Sequence, residues 1–291
     1  MLSKEDKQFM ELYSDSEYEK PSVTVDAVVF RLTDKKEDNY RKLPEKKLQV
    51  YLTKRAYSPY KDKYSIIGTF IDLKRELNES MKLCVNKKIS LKENYYYEQL
   101  FTFGSPNRDP RNRVISVSYM VLTNQETFVE NGEWFDVDLS SKVVKNEKTA
   151  TGYILNKHYM LTLSNENNTI ESEISVNITK NNLEEKKDII IEKSDLAFDH
   201  SKIIFYSIER LKNKLEYTDI IFNLLPKEFT LTELKNSYEV ILNQKLLDAN
   251  FRRKTSNLVT PTQNYETGKG HRLSQLFVRN YLWNVDNTDI D

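Results

Sequence analysis

The sequence predicts an α/β (α+β) chain built in two parts, and three features of it carry that prediction. Short runs rich in β-branched residues recur between Pro21 and Glu192, each bounded by polar or Gly/Pro turns, as strands require. From Leu196 the apolar spacing becomes helical, with Ile204, Ile208, Leu211 and Leu215 on one face. Between Lys245 and Tyr281 seven Lys/Arg stand against two acids, whereas the chain as a whole holds 44 of each and has no net charge.

A length of 291 residues accommodates two domains. With no global charge to name a partner, a nucleic-acid surface has to be a local patch. The single cysteine, Cys84, cannot form an internal disulfide, which fits a reducing cytoplasm. No run of about 18 apolar residues and no charged, apolar leader is present, so neither a membrane span nor secretion is expected.

Residues 1–20 are polar and read as a short helix or loose arm. A first domain is expected over 21–195. It opens with a strand, PSVTVDAVVFRL (Pro21–Leu32), then a charged loop, then a second strand over Leu48–Lys54 that ends at Arg55. This order of strand, loop, strand and Arg resembles the start of a Nudix domain, which implies a ligand contact for Arg55; read from the residues alone it is a solvated strand-end arginine.

The segment YSIIGTFIDLKRELNESMKLCVNKKISL (Tyr64–Leu91) places Leu77, Met81, Cys84 and Val85 at helical spacing, closed by Lys87 and Lys88 where cations suit the helix dipole. In position it resembles the signature of the Nudix superfamily, G-x5-E-x7-R-E-U-x-E-E-x-G-U, whose glutamates hold the divalent cations that activate water on a pyrophosphate. Laid on without gaps, the pattern's glycines fall on Thr69 and Ser90, its first Glu on Arg75, its Arg-Glu on Leu83 and Cys84, and its Glu pair on Lys87 and Lys88. Only the packing positions Val85 and Leu91 keep their type. Hard cations need clustered carboxylates, so the resemblance implies a retained scaffold helix without a metal site, a cofactor or catalysis. The alternative is a hydrolase with an atypical metal site made from Asp72, Glu76 and Glu79, which share helical spacing.

Two strand-like runs between Tyr95 and Thr123 flank Asn107-Arg108-Asp109-Pro110-Arg111, a polar turn bounded by Gly and Pro. The surrounding FGSPNRDPRNRVISVSY is similar to an element shared by ADP-ribose-type Nudix enzymes and Nudix-related regulators. Its arginines could offer forked donors to a pyrophosphate, or could tie the turn down through Asp109. Arg108, Arg113 and Phe70 join Arg55 as candidate ligand contacts. GEWFDVDL (Gly132–Leu139) resembles a late Nudix strand, and alternating runs over about 153–192 add a hairpin or three strands. His158, on one of these, reads as a surface or packing residue rather than a ligand.

The last part, 196–291, begins with a long helix and a second helix over about Thr218–Leu225 that stops before Pro226. Thr230 and Glu233 form a capping box for a third. A turn at Asn243–Leu247 leads to Asp248, which can cap a fourth, DANFRRKTSNL. Helices joined in this way make a helix-turn-helix. Phe251, Thr255 and Leu258 share the inner face of the last one, which leaves Arg252, Arg253 and Lys254 for DNA. Two strand-like runs then flank Gly268-Lys269-Gly270-His271-Arg272, a basic wing whose candidate contacts are Lys269, His271 and Arg272.

The runs LAFDHSKII, LEYT, LLPKEFTLTELKNSYEVIL and NFRRK resemble those of the Nudix-related transcriptional regulators. That resemblance implies a Nudix-like α/β/α sandwich followed by a winged helix-turn-helix, assembled as a homodimer. It further implies that the sensor binds a nucleotide-like effector, ADP-ribose or a relative, and controls binding to double-stranded DNA at genes of NAD or sugar metabolism. The chain departs from the pattern in its thoroughly altered Nudix box and its added strands.

Overall fold

The computed structural model describes residues 3–13, 19–35, 45–91, 95–125, 132–266 and 273–283. Helix α1 (Lys4–Leu12) lies in the N-terminal arm, where Ser3 and Asp6 cap each other's backbone amides at 3.0 Å.

Strand β1 (Ser22–Asp34) is the centre of the first part. It pairs antiparallel with β2 (Lys46–Lys54) and β4 (Ile67–Phe70), and parallel with β6 (Val114–Leu122), from Ser22 opposite Val114 to Phe30 opposite Leu122. A strand so placed is covered on both faces, which accounts for a run, VTVDAVVF, that is apolar almost throughout. Val25, Ala27 and Val29 pack with Met81, Val85 and Ile89 of α2 (Leu77–Ile89). On the other face Val28 and Phe30 share a core with Ile204, Ile208 and Leu211 of α3 (His200–Lys214). Two helical layers therefore sandwich one sheet.

That sheet has ten strands, including β3 (Tyr64–Ser65), β5 (Tyr96–Phe103), β7 (Gly132–Thr149), β8 (Gly152–Ser164), β9 (Thr169–Lys180) and β10 (Glu185–Ser194). Its order is β10-β9-β8-β7-β2-β1-β6-β5, with β3 beside β2 and β4 beside β1. The strands expected over 153–192 are thus an antiparallel meander that widens the sheet, and the widening has a packing reason. Leu161, Leu163, Ile174 and Val176 are fully buried in the core shared with α3, and Phe205 of α3 meets Tyr159 edge-on at 4.9 Å. His158 is exposed on β8, 3.3 Å from the Ser175 hydroxyl.

Beyond α3 come a 3-10 turn (Ile220–Leu224), β11 (Phe229–Thr230), α4 (Leu231–Leu242), α5 (Asp248–Thr255), β12 (Val259–Glu266) and β13 (Ser274–Arg279). The three strands form a separate sheet, ordered β11-β13-β12. Two details differ from the sequence reading. The helix expected over 218–225 is only the 3-10 turn, and Asp248 is the first residue of α5 rather than its cap, Leu247 taking that place. The Asp248 carboxylate turns to Lys235 instead of the helix amides. The capping box of Thr230 and Glu233 forms at 2.9 and 3.1 Å.

Phe222, Phe229, Leu234, Tyr238 and Phe251 belong to the same apolar cluster as the α3 face of the sandwich. The long helix read as the start of the second part lies on the sheet, so the two parts share one core across residues 195 and 196. No helix among the described residues is long and apolar enough to cross a membrane.

Candidate ligand cleft and nucleic-acid interface

At one end of β1, β2 and β4 lies a cleft of about 640 Å³, closed by the 104–113 loop, the last turn of α2 and the residues leading into α3. Val85 and Leu91 are buried, and Ser90 caps α2 with φ 53°, the left-handed conformation that suits a glycine. Lys88 lines the cleft and Lys87 is exposed outside the lining. Asp72, Glu76 and Glu79 engage their neighbours, Asp72 with Arg75 at 3.5 Å and Glu79 with the Glu76 amide at 3.4 Å. Among the described residues no three His, Cys, Asp or Glu are grouped to hold a metal ion.

Arg55 donates from Nε to the Pro59 carbonyl at 2.8 Å and lies 4.7 Å from the centre of the Phe198 ring. Neither Nη group has a partner among the described residues. Burial, then repulsion from Arg111, lowers its pKa. Phe70 is half-exposed and lines the cleft as expected. Arg108 also reaches it, but its fork is closed on Asp199 by bonds of 3.0 and 2.7 Å, and its side chain is 4% exposed. Arg108 therefore fastens the loop to the first turn of α3. Arg113 stands outside the lining, donating to the Gly104 carbonyl at 2.7 Å.

The cleft brings in residues that the sequence reading did not select. Arg111 is clamped by Asp109 through bonds of 3.0 and 2.7 Å and lies 5.6 Å from both the Phe70 and Phe198 rings, with its outer nitrogen Nη1 unpartnered among the described residues. Phe198 has φ 54°, rare for an aromatic residue, and strain of this kind marks functional sites. His200 accepts the Ile66 amide on Nδ1 at 3.3 Å, which leaves Nε2–H as a donor. Burial, with the charges of Arg108 and Arg55, pushes its pKa down to about 3, so the ring is neutral at pH 7. Asp26, buried in β1, accepts from Thr24 at 3.0 Å and from Ser116, and burial raises its pKa. Gly68 is required beside it, because a Cβ there would lie 1.9 Å from the Asp26 carboxylate.

The second surface is α5. Phe251 and Thr255 anchor its inner face and Leu258 closes it from below, all buried. Arg252 and Arg253 are exposed and have no ion pair among the described residues. Lys254 turns back, its ammonium 5.9 Å from the Tyr238 ring. Strands β12 and β13 flank the expected wing, whose Lys269, His271 and Arg272 lie outside the described residues.

Residues 221–278 match the NrtR DNA-binding winged helix domain. The chain superimposes on a MutT/nudix family protein of Enterococcus faecalis, with a TM-score of 0.65, 22% identity, and 95% and 93% of the two chains covered. The chain carries an NrtR-type winged helix and shares the fold of that protein. The same fold is shared by Shewanella oneidensis NrtR in a complex with a 27mer DNA, at a TM-score of 0.59 and 22% identity over 90% of this chain and 94% of that one. A curated relative, the ADPR responsive transcriptional repressor NtrR of Acinetobacter baylyi, is 26% identical and spans 94% of this chain and 87% of its own. The winged helix is thus carried by α4, α5, β12 and β13, and the sandwich by the ten-stranded sheet.

Proposed function

We propose that the chain is a homodimeric, DNA-binding transcriptional regulator whose sandwich senses a nucleotide-like metabolite of the ADP-ribose class without hydrolysing it. The observation that carries this reading is the connection between its two surfaces. Helix α3 has 15 residues, about 22 Å of helix. Its N-terminal end supplies His200 to the cleft, and Asp199 holds Arg108 there. Its C-terminal end is tied to the β5 edge, with Arg210 donating to the Leu100 carbonyl at 3.1 Å and Lys214 paired with Glu98, just before the chain enters the winged helix.

In the cleft, Arg55, Arg111 and the His200 Nε2–H offer donors to phosphate and ribose oxygens, while Phe70 and Phe198 offer faces for a base. Arg108 acts at one remove by holding the loop that carries Arg111. On the DNA side Arg252 and Arg253 reach base edges or phosphates from α5. An effector shifts DNA binding only through different affinities for two states of the protein, and a small displacement of α3 is the available difference. The names of the relatives support repression and response to ADP-ribose.

Fluorescence anisotropy on the chain's own upstream DNA, titrated with ADP-ribose at fixed salt, tests the reading. Selective binding that ADP-ribose alters is expected. Binding with no selectivity over unrelated DNA would remove the regulator.

A further inference from the structure

The charges that line the cleft are unequally engaged. Its carboxylates are Asp26, enclosed by Thr24 and Ser116, and Asp109, clamped by Arg111. Neither is free to ligate a cation. Of the cationic side chains, Arg108 is neutralised by Asp199 and Arg111 by Asp109. Lys54 and Lys88 both line the cleft without a carboxylate partner among the described residues, Lys54 exposed to solvent and Lys88 half-buried. The main chain of Lys88 is fixed, since its carbonyl accepts the Tyr51 hydroxyl at 3.3 Å and the neighbouring Ile89 is fully buried. A half-buried ammonium with no internal counter-ion favours an external anion. Arg55, with both Nη groups open on the same cleft, adds a second positive centre.

We infer that Lys88, with Arg55, is a metal-independent recognition site for a diphosphate group, the lysine ammonium supplying the positive charge that a divalent cation would otherwise bring. The inference rests on the nucleotide-like effector proposed above and adds how its phosphates are held. It has a consequence of definite sign. Where a metal bridges protein and diphosphate, magnesium strengthens binding. Where lysine and arginine bind it directly, magnesium competes by neutralising the ligand, and binding weakens or stays level.

The test is calorimetric titration of the full chain with inorganic pyrophosphate, first in EDTA and then in excess magnesium. Binding in EDTA that magnesium does not improve is expected. Lys88→Met should weaken it by about tenfold, the loss of one charge-assisted hydrogen bond. Lys88→Arg should keep most of the affinity, and Lys87→Met, an equal charge change one residue outside the lining, should leave it within about twofold. The Arg variant also guards against a folding defect in the Met variant. Binding seen only with magnesium, no binding in EDTA, or equal affinity in Lys88→Met and wild type would each overturn the inference. The titration needs no DNA, so its result is separate from the operator experiment.

Discussion

The cleft and the outer face of α5 both present arginines, but they are held in opposite ways. In the cleft the guanidinium groups are fixed from within the protein, Arg108 by Asp199 and Arg111 by Asp109 and two aromatic rings. On α5, Arg252 and Arg253 extend into solvent without a fixed partner among the described residues. A small ligand needs donors already placed, because it has few atoms with which to offset the entropy of ordering long side chains. DNA supplies a continuous row of phosphates and can order its contacts on arrival. Arginine pairing inside the fold therefore separates a preorganised pocket from a polyanion surface.

The largest effect should come from breaking the fastening of the cleft. Asp199→Ala leaves the buried Arg108 with only the longer contact to Asp26 at 3.9 Å, and the expected loss approaches about 3 kcal/mol of folding stability. Denaturant unfolding checks it. Arg252→Ala should behave in the opposite way. Its stability should stay within about 0.5 kcal/mol of wild type, while operator affinity falls by about 1 to 3 kcal/mol if it reads a base. Anisotropy and thermal melting on one preparation give both values. A stability loss in Arg252→Ala would break the comparison, because it would mean that α5 also fixes its arginines internally.

His200 adds a pH dependence that belongs to the cleft alone. Its folded-state pKa, about 3, lies below the ordinary 6.5. Below pH 6.5 the unfolded chain takes up a proton that the folded site refuses, so stability falls with pH until about pH 3, and above 6.5 the group contributes no slope. The slope is about 1.4 kcal/mol per pH unit. Asp26, whose pKa is raised, opposes this at low pH. The difference between wild type and His200→Gln isolates the histidine, since the Gln carbonyl can still accept the Ile66 amide. A difference independent of pH between 6.5 and 4.5 would contradict a neutral His200.

How far the sequence could be read follows from the range of the contacts concerned. Strand β1, the stripe on α2 and the helix-turn-helix are written in local spacing, and the structure has all of them. Ser90 takes the left-handed conformation at the position where the ungapped pattern puts a glycine. The roles of the arginines were not legible in the same way. The partner of Arg108 is Asp199, 91 positions further on, and the rings around Arg111 come from β4 and from the residue before Asp199. No periodicity of the RDPR segment encodes those distances. Phe198 and His200 escaped because they lie in LAFDHSKII, read as the start of the DNA-binding part. The added strands serve α3, which lies across them, a contact between residues too far apart for local spacing to encode.

Arg108, Arg111 and Arg113 look equivalent in the sequence, yet each has a different place: buried fastener, cleft wall and outer brace. Arg113→Ala removes one exposed bond to the Gly104 carbonyl and no group from the cleft lining. Stability should fall by about 0.5 to 1.5 kcal/mol, and affinity for ADP-ribose should change by less than about twofold, well inside 1 kcal/mol. Arg111→Ala in the same titration should weaken ADP-ribose by about tenfold or more, because it removes a charged donor held against two rings. If the two variants lost affinity equally, the 104–113 loop would be moving as one unit on binding. The preorganised cleft would then give way to a loop that orders around its ligand, which is how the arginines of α5 are expected to meet DNA.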